Sequence, residues 1–229
     1  MDKYLREPIN GLTHIIGAIL SLIGLILMII KISLDNGTLL EYAVAIIFGL
    51  SMILLYSASA TYHSVISSDK VIKTLKRLDH SMIFILIAGS YAPPCLLALH
   101  NKTGYILFGI VATTGVLGII FKMIWITCPK WVSSVMYITI GWFAIFAIYP
   151  LSKALNPIAI FLLVLGGILY TIGGVIYAIK SDKLRIGAFG GHEIFHIFIM
   201  LGSLCHFICF FKYICRSDSL FNTLSDYWV

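Results

Sequence analysis

The chain has 229 residues, 60% of them hydrophobic and only 11% charged, with a formal net charge of +6. A soluble domain carries about a quarter charged residues, so a chain this apolar cannot hide its surplus in one core and needs lipid as its solvent. No basic–aromatic patch accompanies the positive charge, which speaks against nucleic acid and assigns the lysines and arginines to membrane surfaces.

The first apolar run, about 12–32, exceeds the ~7–15 residues of a signal-peptide core, and no small-residue cleavage site follows it. It is therefore read as a membrane span, which needs roughly 20 mostly apolar residues. Six further runs qualify in order, at about 41–63, 79–99, 104–124, 132–150, 157–179 and 191–212, divided by the joints "SLDNGT", "SSDKVIKTLKR", "HNKTG", "CPKW", "SKALNP" and "KSDKLR". The predicted fold is all-α: a seven-transmembrane-helix bundle forming a single integral membrane domain over 1–229, with no repeat and no low-complexity segment. Pro93-Pro94 should kink or break the third span, because two successive donors are missing from its ladder. In the second joint, Val71, Ile72, Leu75 and Leu78 alternate with basic residues at helical spacing. This fits either a short amphipathic helix on the inner leaflet or an ordinary basic loop. The five cysteines, Cys95, Cys128, Cys205, Cys209 and Cys215, read as buried thiols.

Lysine and arginine counts orient the bundle in the cell membrane. With the N-terminus inside, the inner segments hold Lys3, Arg6, Lys70, Lys73, Lys76, Arg77, Lys122, Lys130, Lys180, Lys183 and Arg185, against Lys31, Lys102, Lys153, Lys212 and Arg216 outside. That imbalance predicts a cytoplasmic N-terminus and an outer C-terminus.

Ionisable groups inside a bilayer are expensive and mark function. His63 ends the second span at the inner side, with Ser59 one turn and ~6 Å deeper on the same face. Asp79 begins the third span and His192 and His196 the seventh, both starting inside. Three histidines, an aspartate and a serine thus share one depth. Histidines at i and i+4 can share an ion. With His63 they offer zinc three ligands and leave a fourth position for water, whose pKa zinc can lower to about 7. Asp79 is the candidate group to orient or deprotonate that water, and Ser59 a candidate donor to an oxyanion. His14, His100 and His206 read as packing residues, and His80 as pointing away from the first shell.

His192-Glu193-Ile194-Phe195-His196 also matches the HExxH signature, which would make Glu193 the general base of an intramembrane protease. That reading leaves His63 and Ser59 without a role, so Glu193 is taken as a neighbour of the site.

Taken together, "SASATYHS", "KRLDHSMIFILIAGSYAP" and "GGHEIFHIF", with the opening "EPINGLTHIIGAILS" carrying Glu7, Asn10 and His14, resemble the hemolysin III family. This is the bacterial branch of the progestin and adipoQ receptors, related to the alkaline ceramidases. The resemblance covers nearly the whole chain. It implies a zinc ion near the cytoplasmic face held by His63, His192 and His196, with Asp79 meeting it through water and Ser59 lining the same pocket. It also implies a metal-dependent hydrolase acting on a membrane lipid, as the related ceramidases act on a lipid amide. Receptor-like or cytolytic membrane proteins with a structural zinc are the alternatives. A pore is disfavoured because the polar residues crowd the inner end.

Overall fold

The structure is a computed structural model that describes residues 5–179, 185, 187 and 189–215. Of the basic residues counted above, Lys3, Lys180, Lys183 and Arg216 lie outside the described residues, as does most of the "KSDKLR" joint.

The elements run in order as α1 (Pro8–Leu34), α2 (Leu39–Ser64), α3 (Asp69–Ala92), α4 (Lys102–Ile124), α5 (Lys130–Gly141), α6 (Ile148–Ala154), α7 (Pro157–Ile179) and α8 (Gly191–Cys209). No strand occurs among the described residues. With α5 and α6 joined as one span, seven helices among the described residues are long and apolar enough to cross a membrane. A multi-pass membrane protein follows, because a helix satisfies its own backbone groups in lipid. Large apolar side chains such as Leu12, Ile19, Ile106, Leu117 and Phe161 face outward, as a lipid solvent allows.

Three stretches depart from the sequence expectation. The first is the basic joint after α2, which is neither a loop nor a separate surface helix. It forms the opening turns of α3, so the third span covers Asp69–Leu99, 31 residues, rather than 79–99. No glycine or proline stands between Lys70 and Asp79 to interrupt the ladder, and helix propagation costs less than a second nucleation. The second is the Pro93-Pro94 step, where α3 widens into a π-helical segment, Pro93–Leu99. The prolines lack donors and their rings crowd the carbonyls one turn back, so the ladder shifts register instead of stopping.

The third departure has no counterpart in the sequence reading. The fifth span tightens into a 3-10 stretch at Trp142–Ala147 before α6 resumes. Pro150 stands in the first turn of α6, where a missing donor is tolerated. The Tyr91 hydroxyl holds the break, donating to the Gly141 carbonyl (2.7 Å) and accepting from the Ala144 amide (2.7 Å).

Two apolar clusters hold the helices together. Met28, Val44, Phe48, Met52, Tyr56, Leu86 and Phe210 join α1, α2 and α3 to the π-helical extension of α8. Phe84, Tyr91, Leu107, Val111 and Ile140 join α3, α4 and α5. Gly118 on α4 lies directly under the Phe84 ring, where a Cβ would overlap it; close approach at small residues is how helices pack without a hydrophobic force between them. All five cysteines are free.

Candidate metal centre

The site is assembled where the end of α2 meets the starts of α1 and α8 and the Asp79–His80 turn within α3. The residues before α1 are tied to the last turn of α2. The Glu7 amide donates to the His63 carbonyl (2.9 Å) and the Arg6 amide to the Ser64 carbonyl (3.3 Å). These bonds satisfy carbonyls that a helix C-terminus leaves open. Arg6 lies over the Tyr62 ring at 4.2 Å.

This strap fixes His63. Its Nδ1 stands 2.7 Å from Glu7 Oε2, and since a carboxylate only accepts, Nδ1 carries the proton and Nε2 presents a lone pair. That bond, against the upward push of burial and with help from Arg6 and Asn10, holds the Glu7 carboxyl down at about 2. The freed Nε2 faces His192 Nε2 at 3.3 Å. The candidate ligand atoms of His63, His192 and His196 all lie within 4.8 Å of one another. His63 and His196 are buried and His192 is half-buried.

These residues fit zinc. An ion with Zn–N distances near ~2.0 Å in a tetrahedron spaces its ligand nitrogens ~3.3 Å apart, which is the His63–His192 separation. Two imidazole nitrogens facing each other at that distance need a proton or a cation between them. The Glu7–His63 pair also supplies the carboxylate–histidine arrangement that typically orients a zinc ligand.

Asp79, on α3, lines a cleft of about 480 Å³ together with Glu7, His63, His80, His192 and Glu193. The sequence-selected residues therefore converge, with two adjustments. Ser59 is 2% exposed and absent from the cleft wall. It is buried near enough to the Asp79 carboxylate to interact with it, because its place one turn above His63 points it into packed protein. His80 does not point away: it lines the cleft, with Nδ1 3.2 Å from Asp79 Oδ2 and Nε2 3.0 Å from the Tyr177 hydroxyl.

Glu193 is occupied elsewhere. One oxygen accepts from the Gly190 amide (2.9 Å), capping α8, and the other accepts from Asn10 Nδ2 (3.0 Å). The remaining histidines divide. His206 lies 3.3 Å from the Leu163 carbonyl, and His100 ends the third span with φ 41°. His14 stacks on His196 with ring centroids 3.6 Å apart, and neither of its buried nitrogens has a hydrogen-bond partner among the described residues.

Sequence reasoning placed Glu7 and Asn10 only in a motif, because both lie at the edge of the first span rather than inside it. It also passed over a buried polar cluster deeper in the bundle. There the Ser203 hydroxyl lies 2.6 Å from Tyr56 Oη and 2.9 Å from Tyr170 Oη. Tyrosines in apolar helices give no periodic signal that separates them from ordinary core residues.

A sequence model for the family described as haemolysin-III related matches residues 3–207. The chain is 39% identical over 220 residues to Hemolysin-3 of Bacillus cereus, spanning 96% of this chain and 97% of that one. It is 36% identical over 208 residues to the Hemolysin-3 homolog of Bacillus subtilis (strain 168), spanning 91% and 94%.

Proposed function

This chain belongs to the haemolysin-III related family, and from that premise we propose that it is a zinc-dependent hydrolase of a membrane lipid, first of all a lipid amide. The observation that carries the reading is the convergence of His63, His192 and His196 beside a cleft that Asp79 also lines. Zinc, if held by His63, His192 and His196, would supply a Lewis acid and a water acidified to a pKa of about 7.

The protein's own groups have separate tasks. Glu7 fixes the tautomer and direction of His63. Asp79 orients a water in the cleft and takes up its proton. Ser59, packed behind Asp79, steadies that carboxylate rather than meeting an oxyanion. Glu193 holds the α8 N-terminus and Asn10, so the protease reading, which needs it as a base, is disfavoured. A purely structural zinc would be closed by four protein ligands, whereas the group among the described residues has three beside an open cleft. For that reason the receptor-like and cytolytic readings are set second. The basic residues counted along the sequence put this end of the bundle at the cytoplasmic face of the cell membrane.

Metal analysis of the purified full chain, with a screen of lipid amides and esters, tests the proposal. Stoichiometric zinc with turnover of one class is expected; a zinc-free protein that retains its fold sinks it.

A further inference from the structure

We propose that Lys122, Cys128 and Ser133 form a covalent modification site, where a hydroperoxide oxidises Cys128 and Lys122 captures it in a sulfur–nitrogen bond. The site needs no metal, and it stands apart from the hydrolase reading.

Lys122 lies in the last turn of α4 and is 1% exposed. A lysine buried so completely is almost always paired with an acid. Here its Nζ instead donates to the Cys128 sulfur (3.2 Å) and to the Ser133 hydroxyl, with the centre of the Tyr137 ring 6.0 Å away. The Cys128 sulfur is in turn 3.4 Å from the Ser133 oxygen. Amine, thiol and hydroxyl therefore contact one another where the end of α4, the joint after it and the first turn of α5 meet. Two other cysteines mark the contrast. Cys209 donates its thiol to the Ala159 carbonyl (3.4 Å). Lys31, near Cys215, directs its ammonium to the carbonyls of Phe211 and Cys215 (both 2.7 Å) rather than to sulfur.

Burial is uneven within the cluster. Cys128 is 8% exposed, whereas Lys122 and Ser133 are each 1% exposed. A small oxidant meets the sulfur first, and water has little access to what forms there. The sulfur attacks the terminal oxygen of the hydroperoxide and the O–O bond breaks. Sulfur loses two electrons and becomes a sulfenic acid, while the thiol proton leaves with the other oxygen as an alcohol. Sulfenic acids condense with a nearby nitrogen to a sulfenamide, and buried lysines serve as nucleophiles in their neutral form. The Lys122 nitrogen then bonds to sulfur, and the sulfenic oxygen departs as water with an amine proton. Thiol, amine and hydroperoxide thus become sulfenamide, alcohol and water. Reduction by two thiols restores Cys128 and Lys122 and leaves a disulfide of the reductant.

The test treats the purified full chain with hydrogen peroxide and follows Lys122 and Cys128 by peptide mass spectrometry. A parallel sample contains dimedone, which traps free sulfenic acid. In the parent, the peptide carrying both residues should be lighter by two hydrogens and uncut by trypsin after Lys122, and dithiothreitol should reverse both changes. Lys122→Arg keeps a cation but supplies no amine, so its Cys128 should be labelled by dimedone and form no bond. Cys128→Ser should show neither product. The parent's spectrum decides even where a substitution at so buried a position prevents folding. Dimedone-labelled Cys128 in a parent that trypsin still cuts after Lys122 overturns the proposal. So does a Cys128 that stays reduced while the half-buried Cys205 is oxidised, or one found in a disulfide with another cysteine. A mass loss that survives in Cys128→Ser overturns it as well.

Discussion

Glu7 Oε2 and His63 Nδ1 lie 2.7 Å apart, joining the strap before the first helix to the end of the second through one charge-assisted hydrogen bond. The bond decides which nitrogen of His63 can reach a metal. Partners of this kind are worth about 10–100-fold in metal affinity. Glu7→Gln should therefore weaken zinc binding by about that factor while the three imidazoles remain in place. Chelator competition on the purified protein measures it, and an unchanged affinity would reduce Glu7 to a tether for the N-terminal strap.

Removing a ligand should act more severely. His63→Ala, His192→Ala and His196→Ala should each strip the zinc and lower the thermal stability of the bundle, since a metal that binds only the folded state contributes its binding energy to that state. His100→Ala should do neither, because His100 ends the third span away from the cleft. Zinc retained at one per chain in a protein lacking both His192 and His196 would rule out the assignment.

The orientation has its own test. Reporters fused after Ser181 and after Val229 should be found on opposite faces of the membrane, the first cytoplasmic and the second outside. Both on one side would contradict the orientation drawn from lysine and arginine.

What could be read from the sequence follows from what lipid demands. Apolar length alone located the seven spans, because a bilayer has one thickness. Ionisable residues at span ends located His63, Asp79, His192 and His196, because each such group is costly there. Where the polypeptide leaves the bilayer that constraint lapses. Hydropathy ended the third span at Asp79, while the ladder runs on to Asp69 through residues whose side chains favour water and whose backbone favours helix. Glu7 and Asn10 were legible only as members of the opening motif for the same reason, lying at the edge where a polar group costs little. Side-chain direction was the other gap. Ser59 and His80 both lie close to the predicted site in sequence, but which of them faces the cleft depends on helix rotation, set by packing such as Gly118 against Phe84 that no single helix encodes.

The mechanism turns on which carboxylate serves the water. Asp79 lines the cleft, whereas the two oxygens of Glu193 accept from the Gly190 amide and Asn10. Asp79→Asn keeps the shape but cannot take up a proton, so hydrolysis should fall about 10²–10⁴-fold, the range for one general base, with zinc content nearly unchanged. Ser59→Ala should cost less, since its hydroxyl acts only through Asp79, and it should matter little once Asp79 is already Asn. Glu193→Gln should lower stability by loosening the start of α8, and it should leave the rate per folded, zinc-loaded molecule close to that of the parent. Assaying lipid-amide hydrolysis and zinc in the parent, the three single variants and the Ser59–Asp79 double variant separates these roles. Full activity in Asp79→Asn, or a loss confined to Glu193→Gln, would move the base to Glu193 and return the HExxH reading to first place.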